Sequence, residues 1–311
     1  MDAKEKLLIW KTVIALQAVD ALKTSAKVIE IAKQNIEGTI SDDALLGECE
    51  SLKNPADVVA VRMFVNIIQN QFSLSQFELV QIRKALFAGL LESPELLRTE
   101  NLSKKEWALD GHSLVYPKAG KIKSQLGKLF ETETLFEFEG LDSKQIYKHC
   151  ASFISGLWAL HPFESCNTRT VAVFFIKYLA FRGFPLGNDV LSQSAVYFRN
   201  ALARAAFCDG KKGIHKTTRY LERLIKKMMF GGRTVLDPRE THLYYDSNGV
   251  VLKSDAAAQK ELSPSERLDE KLLAPKKAAA KKQADKPEPA KKRAVSAKAP
   301  SKAKKSSSKK K

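Results

Sequence analysis

The chain has 311 residues, 44% of them hydrophobic, and a net charge of +17, which suits a soluble protein with room for one or two domains. Residues 271–311 carry sixteen Lys and Arg against two Asp and Glu, so residues 1–270 hold only +3 and the basic character belongs to the tail. No run approaches the roughly 18 consecutive apolar residues of a membrane span, and Cys49, Cys150, Cys166 and Cys208 form no C-x-x-C pair. The cysteines therefore read as reduced thiols of a cytoplasmic protein, not as a disulfide framework or a zinc site. His112, His149, His161, His215 and His242 are scattered without an H-E-x-x-H pair, so no metal site is expected.

Residues 1–28 read as an amphipathic helix, too interrupted by Lys4, Lys6, Lys11, Asp20 and Lys23 to be a secretory signal. Leu7, Leu8, Val13, Ile14, Leu16 and Val19 fall near one face of it. A second helical run over 25–36 ends at Gly38, and Pro55 opens a third containing Phe64, Val65, Ile67 and Ile68. Residues 73–91 give another. Residues 100–118 differ: Ser113, Leu114, Val115 and Tyr116 before Pro117, with Gly111 upstream, predict a short strand or hairpin. Helical patterns resume over 122–130 and 142–160. Residues 171–181 are apolar nearly all round, the mark of a central helix packed on several sides. Gly183, Pro185 and Gly187 end it. Two more helices are expected near 190–206 and 217–230, and Gly231 and Gly232 close the compact region. Beyond Pro264 the composition turns to Lys, Ala, Ser and Pro, which buries too little surface to offset ordering entropy, so the tail is expected to be disordered.

Between the 142–160 and 171–181 helices lies His161-Pro162-Phe163-Glu164-Ser165-Cys166-Asn167-Thr168-Arg169-Thr170. Asn167 and Thr168 stand where the central helix begins, and free amides and the helix dipole at such an end favour an anion. Arg169 in the first turn can pair with phosphate oxygens. His161, just before the turn, can take a proton from a hydroxyl at physiological pH. Phe163 suits a core anchor for the loop. Any one of these residues has an ordinary structural explanation; the four in this order favour a site.

The spacing H-x-F-x-x-x-N-x-R resembles the signature of the Fic family, H-x-F-x-(D/E)-G-N-(G/K)-R, and the flanking H-P-F and N-T-R-T match a bacterial sub-group. The resemblance covers most of residues 1–232. It implies a mostly α-helical Fic fold with a small β-hairpin flap and an activity that transfers AMP, or a related phosphate-containing group, from ATP or another nucleotide to a Ser, Thr or Tyr hydroxyl of a target protein. His161 would be the catalytic base. Cys166, Asn167, Thr168 and Arg169 would bind the nucleotide, Phe163 would anchor the loop, and Val115 and Tyr116 in the flap would align the target by strand-like pairing. Lys33-Gln34-Asn35-Ile36-Glu37-Gly38 resembles the family's inhibitory helix, (S/T)-x-x-x-E-(G/N), which makes Glu37 and Gly38 candidate inhibitory positions. Read from the residues alone, Gly38 is an ordinary helix stop.

Three positions depart from the family. Ser165 stands where a carboxylate holds Mg²⁺, and a neutral hydroxyl is a poor ligand for that ion. Cys166 replaces the glycine that permits a left-handed turn. Ala172 stands where many members carry a second arginine. Two alternatives follow: a catalytically impaired Fic protein kept for binding or regulation, and a nucleic-acid-associated protein working through its tail, whose lysine density suits non-specific binding to DNA, RNA or an acidic surface. The expected organisation is N-terminal helices over 1–95 with the inhibitory-type segment at 33–39, a Fic core over 96–232 with the flap near 111–119 and the motif at 161–170, a peripheral segment over 233–263, and the disordered tail over 264–311. Bacterial cytoplasm is the expected location, with delivery to another compartment as the alternative.

Overall fold

The architecture comes from a computed structural model, which describes residues 1–69, 71–245 and 251–252. The chain divides into units Met1–Ala274 and Pro275–Lys311, and the tail assigned to 264–311 lies outside the described residues. The described residues are mostly α-helical, in the order α1 (Ala3–Ala15), α2 (Ala26–Ile36), α3 (Leu45–Glu48), α4 (Pro55–Ile68), α5 (Gln76–Phe87), β1 (Ser103–Lys105), β2 (Ser113–Val115), α6 (Ile122–Thr134), α7 (Ser143–Leu160), α8 (Asn167–Phe181), α9 (Val190–Gln193), α10 (Ala195–Ala206), α11 (Arg219–Phe230), β3 (Tyr244–Tyr245) and β4 (Val251–Leu252). No helix among them is long and apolar enough to cross a membrane.

Helix α8 is the axis of the fold. Every residue from Asn167 to Leu179 is buried, as expected of a helix apolar on all sides. It packs against α4, α5 and α7, while α7 leans on α6, α10 and α11. Phe174 sits at the crossing, its ring 5.2 Å from Phe72, 5.6 Å from Phe130 and 6.4 Å from Phe153. Capping fixes the helix starts. Asp142 and Gln145 form a reciprocal box at α7, and Ser25, Asn54 and Ser75 accept from the first amides of α2, α4 and α5.

The N-terminal segment differs from the single helix expected over 1–28. Helix α1 tightens into a 3₁₀ turn over Leu16–Asp20 and stops at Ala21, which is left-handed at φ 56°. The chain then restarts at Ser25, whose backbone and hydroxyl both donate to Asp57. Two side-chain demands separate the helices: Ser25 is held on α4, and Asp20 is drawn inward to the arginines described below. Gly38 (φ 80°) ends α2, with the Thr39 amide donating to Gln34 O at 2.8 Å.

The hairpin expected near 100–118 is present. Strands β1 and β2 pair antiparallel, with Ser103 opposite Val115 and Lys105 opposite Ser113. Leu114 points into the core and Val115 outward. The Phe174→Ala substitution removes the ring that α8 packs against Phe72, Phe130 and Phe153 and is expected to destabilise the protein by about 3–5 kcal/mol, read as a lowered urea midpoint at unchanged slope.

Candidate functional site

The motif forms a loop between α7 and α8 bounded by two left-handed residues, His161 (φ 45°, ψ 60°) and Cys166 (φ 58°, ψ 18°). The first ends α7, with the His161 amide donating to Trp158 O at 3.0 Å. The second starts α8. A glycine would accept this conformation freely, whereas a cysteine Cβ raises its cost by about 1–2 kcal/mol.

Asn167 latches the loop. Its Oδ1 accepts from the Phe163 amide at 3.0 Å and its Nδ2 donates to Phe163 O at 2.7 Å. Thr168 Oγ1 accepts from Trp158 Nε1 at 3.0 Å. The polar groups of both side chains thus serve the loop and the α7 packing, which leaves the first amides of α8, without intrahelical acceptors, as the groups able to meet a phosphate. Phe163 is fully buried, with the Arg83 guanidinium 4.4 Å above its ring.

Two further arginines shape the loop. Arg83 donates to Pro94 O at 2.7 Å and to Ser165 O at 2.5 Å. Arg98 Nε donates to His161 O at 2.8 Å, and its Nη2 donates to Pro117 O at 2.5 Å, so one guanidinium ties the His161 backbone to the end of the hairpin.

His161 is 3% exposed, and neither ring nitrogen has a hydrogen-bond partner. Burial, reinforced by the Lys104 ammonium, pushes its pKa down to about 2, so the ring is neutral at physiological pH. Tyr116, the residue following β2, stacks on it at 3.8 Å with an interplanar angle of 16°. The Tyr116 hydroxyl lies 3.4 Å from Glu106 Oε1, and burial pushes its pKa well above the usual phenol range. The structure thus brings the end of the hairpin and His161 together.

Arg169 is 5% exposed and fully engaged. Its Nε donates to Asp20 Oδ2 at 2.7 Å, Nη1 to Gln17 Oε1 at 2.9 Å and Nη2 to Cys166 Sγ at 3.2 Å. Asp20 also accepts from Arg199 at 3.1 Å, and Arg199 donates to Glu106 Oε2 at 3.1 Å. Glu37 is the C-cap of α2 and is exposed, and among the described residues its carboxylate makes no ion pair or hydrogen bond.

The donor set does not fit Mg²⁺. Ser165 offers a neutral hydroxyl and its carbonyl receives Arg83, while the neighbouring Glu164 is a single exposed carboxylate. Among the described residues no three His, Cys, Asp or Glu side chains gather as a metal site.

A helical domain whose buried histidine loop opens a central helix beneath a hairpin flap defines the class. Residues 73–179 match the model of the Fic/DOC family, and this segment is a Fic/DOC domain. Similar solved structures include a Fic family protein from Desulfovibrio desulfuricans G20, at 11% identity and TM-score 0.49, over 73% of this chain and 64% of that one. The N-terminal FIC domain of Bep8, a VirB-translocated effector from Bartonella sp. 1-1C, is 17% identical at TM-score 0.43, over 61% and 87%. BepC, a VirB-translocated effector from Bartonella tribocorum with bound AMPPNP, is 15% identical at TM-score 0.42, over 60% and 86%. The chain spans less than two thirds of the first of these, and no curated protein matches it.

Sequence reasoning missed Gln17, Asp20, Arg83, Arg98, Glu106 and Arg199. Asp20 alone left a trace, as an acid at the end of an apolar helical face. Two predictions follow from the loop. Cys166→Gly is expected to exceed Cys166→Ala in stability by about 1 kcal/mol, because both lose the thiol and only alanine keeps the left-handed cost; denaturant titration of the pair reads it. The unfolded His161 takes up a proton near pH 6.5 while the folded one stays neutral to about pH 2. The unfolded state then binds more protons, so the His161 contribution falls as pH drops below 6.5, by about 1.4 kcal/mol per pH unit. Against His161→Leu, the parent is expected to lose stability more steeply between pH 6.5 and 4.5 in parallel urea titrations.

Proposed function

We propose that the protein binds a nucleotide at the motif loop and transfers AMP, or a related phosphate-containing group, to a Ser, Thr or Tyr hydroxyl of a target protein. The observation that carries this reading is a buried imidazole with no hydrogen-bond partner in the loop that opens α8, where the first amides have no intrahelical acceptors. In the reaction, His161 takes the hydroxyl proton and the hydroxyl oxygen attacks the α-phosphorus of ATP. A phosphorus–oxygen bond forms, the bond to the β-phosphate breaks, and pyrophosphate leaves. Amides of residues 167–169 and Arg169 would stabilise the charge on the phosphates. Tyr116 stacks on the face of His161, and a hydroxyl would approach a ring nitrogen in the plane of the imidazole. The outer edge of β2 in the two-stranded ribbon, with Val115 exposed, suits alignment of an extended target segment. Ser165 gives the protein no carboxylate for Mg²⁺, so any such ion would arrive with the nucleotide.

A second reading is favoured by the same residues. With Arg169 engaged by Asp20 and no acid at Ser165, the domain suits a binding or regulatory role without transfer. The cytoplasm is the proposed location, consistent with four cysteines that form no disulfide. Polyanion binding by the lysine-rich tail is a separate proposal from composition.

Labelled ATP with Mg²⁺ and cell lysate decides between the two readings. Transfer by the parent, reduced about a hundredfold or more in His161→Ala, supports the enzyme. Label only from Ser165→Asp/Cys166→Gly identifies the binding role on a lapsed site. Absence of both label and nucleotide binding in parent and double variant overturns the nucleotide site.

A further inference from the structure

The hairpin brings one lysine onto the motif loop. Lys104 is the middle residue of β1 and pairs directly with Leu114. Residues directly opposite in an antiparallel ribbon share a face. Leu114 is buried, so Lys104 lies on the inward face, while its neighbours Ser103 and Lys105 are exposed. Its Nζ donates to Glu164 O at 3.2 Å, next to Ser165 in the loop. We propose that the Lys104 ammonium neutralises phosphate charge in place of a metal ion held at position 165, so that the loop binds its nucleotide as a metal-free anion. The inference rests on the nucleotide reading of the loop and adds to it a binding residue from the hairpin.

Position 165 is ill suited to Mg²⁺. The ion takes oxygen donors, with one or two carboxylates beside the phosphates. Ser165 offers a neutral hydroxyl, and its carbonyl already receives Arg83. The two carboxylates that act on Lys104 are held by arginines: Asp20 accepts from Arg169 and Arg199, and Glu106 accepts from Arg199. Glu164 turns its backbone carbonyl, not its carboxylate, to the lysine. A divalent ion beside this ammonium would also meet like-charge repulsion.

Lys104 has the means to take that role. Among the described residues its ammonium makes one hydrogen bond and no ion pair, which leaves two of its three donors for phosphate oxygens. Burial pulls its pKa below the usual lysine range, the mark of a cation short of counter-charge. It acts on Cys166, which starts α8, and among the charges around His161 it does most to hold the imidazole neutral. One ammonium therefore faces the loop carbonyl, the start of α8 and the histidine together. The buried, partnerless His161 is the independent sign that this loop is built for a ligand.

Calorimetric titration of the full chain with ATP, in EDTA and in Mg²⁺, tests the proposal. The parent is expected to bind ATP no more weakly in EDTA than in Mg²⁺. Lys104→Met, which keeps the apolar stem, is expected to lose about tenfold in ATP affinity in EDTA and nothing in affinity for adenosine, which carries no phosphate. Parent affinity that depends on Mg²⁺, or unchanged ATP affinity in Lys104→Met, overturns the proposal. An equal loss for ATP and adenosine also overturns it, because the lysine then only ties the hairpin to the loop. Absence of ATP binding in both solutions overturns it together with the nucleotide reading. If metal-free ATP affinity follows Lys104 but no variant transfers label, the transferase reading falls and the lysine's role stands. If His161-dependent transfer occurs while Lys104→Met binds ATP as the parent does, the lysine's role falls and the transferase reading stands.

Discussion

A buried guanidinium must have its donors satisfied, and Arg169 at the start of the central helix imposes that condition on the elements around it. Its charge sits where α8 meets the motif loop, almost out of reach of water. The requirement is met by Asp20, which forces α1 to end in a tight turn and brings the N-terminal helices onto the loop. Asp20 then recruits Arg199 from α10, and Arg199 recruits Glu106 beside the flap. One buried charge thereby connects the N-terminal helices, α8, α10 and the hairpin.

The loop itself is held by backbone chemistry. Two left-handed residues reverse the chain within a few positions, and the Asn167 amide closes the turn by bonding both the N–H and the C=O of Phe163. Arg98 and Arg83 satisfy the loop carbonyls that helices cannot reach. The strain at Cys166 persists because burial on all sides of α8 overdetermines its position.

Electrostatics and shape agree on the state of His161. Burial and the nearby Lys104 keep His161 neutral. Tyr116 lies flat on the same ring, and both side chains are buried.

Much was legible in the residues alone, because helix periodicity, caps and turn glycines act over a few positions. The all-round apolar pattern of 171–181 determined a central helix, Gly38 a helix stop, and the run before Pro117 a strand. The spacing of His161, Phe163, Asn167 and Arg169 marked the loop, and Cys166 at a glycine position announced a left-handed turn. Other features were decided only by tertiary structure. Asn167 and Thr168 turn their side chains to the loop and to Trp158, because a buried amide or hydroxyl takes the nearest partner. Asp20 and Arg169 are separated by 149 positions in the chain, and Asp20 and Arg199 by 179. No local pattern encodes such pairs, since charge pairing depends on distance in space, and that distance is set by how the helices pack.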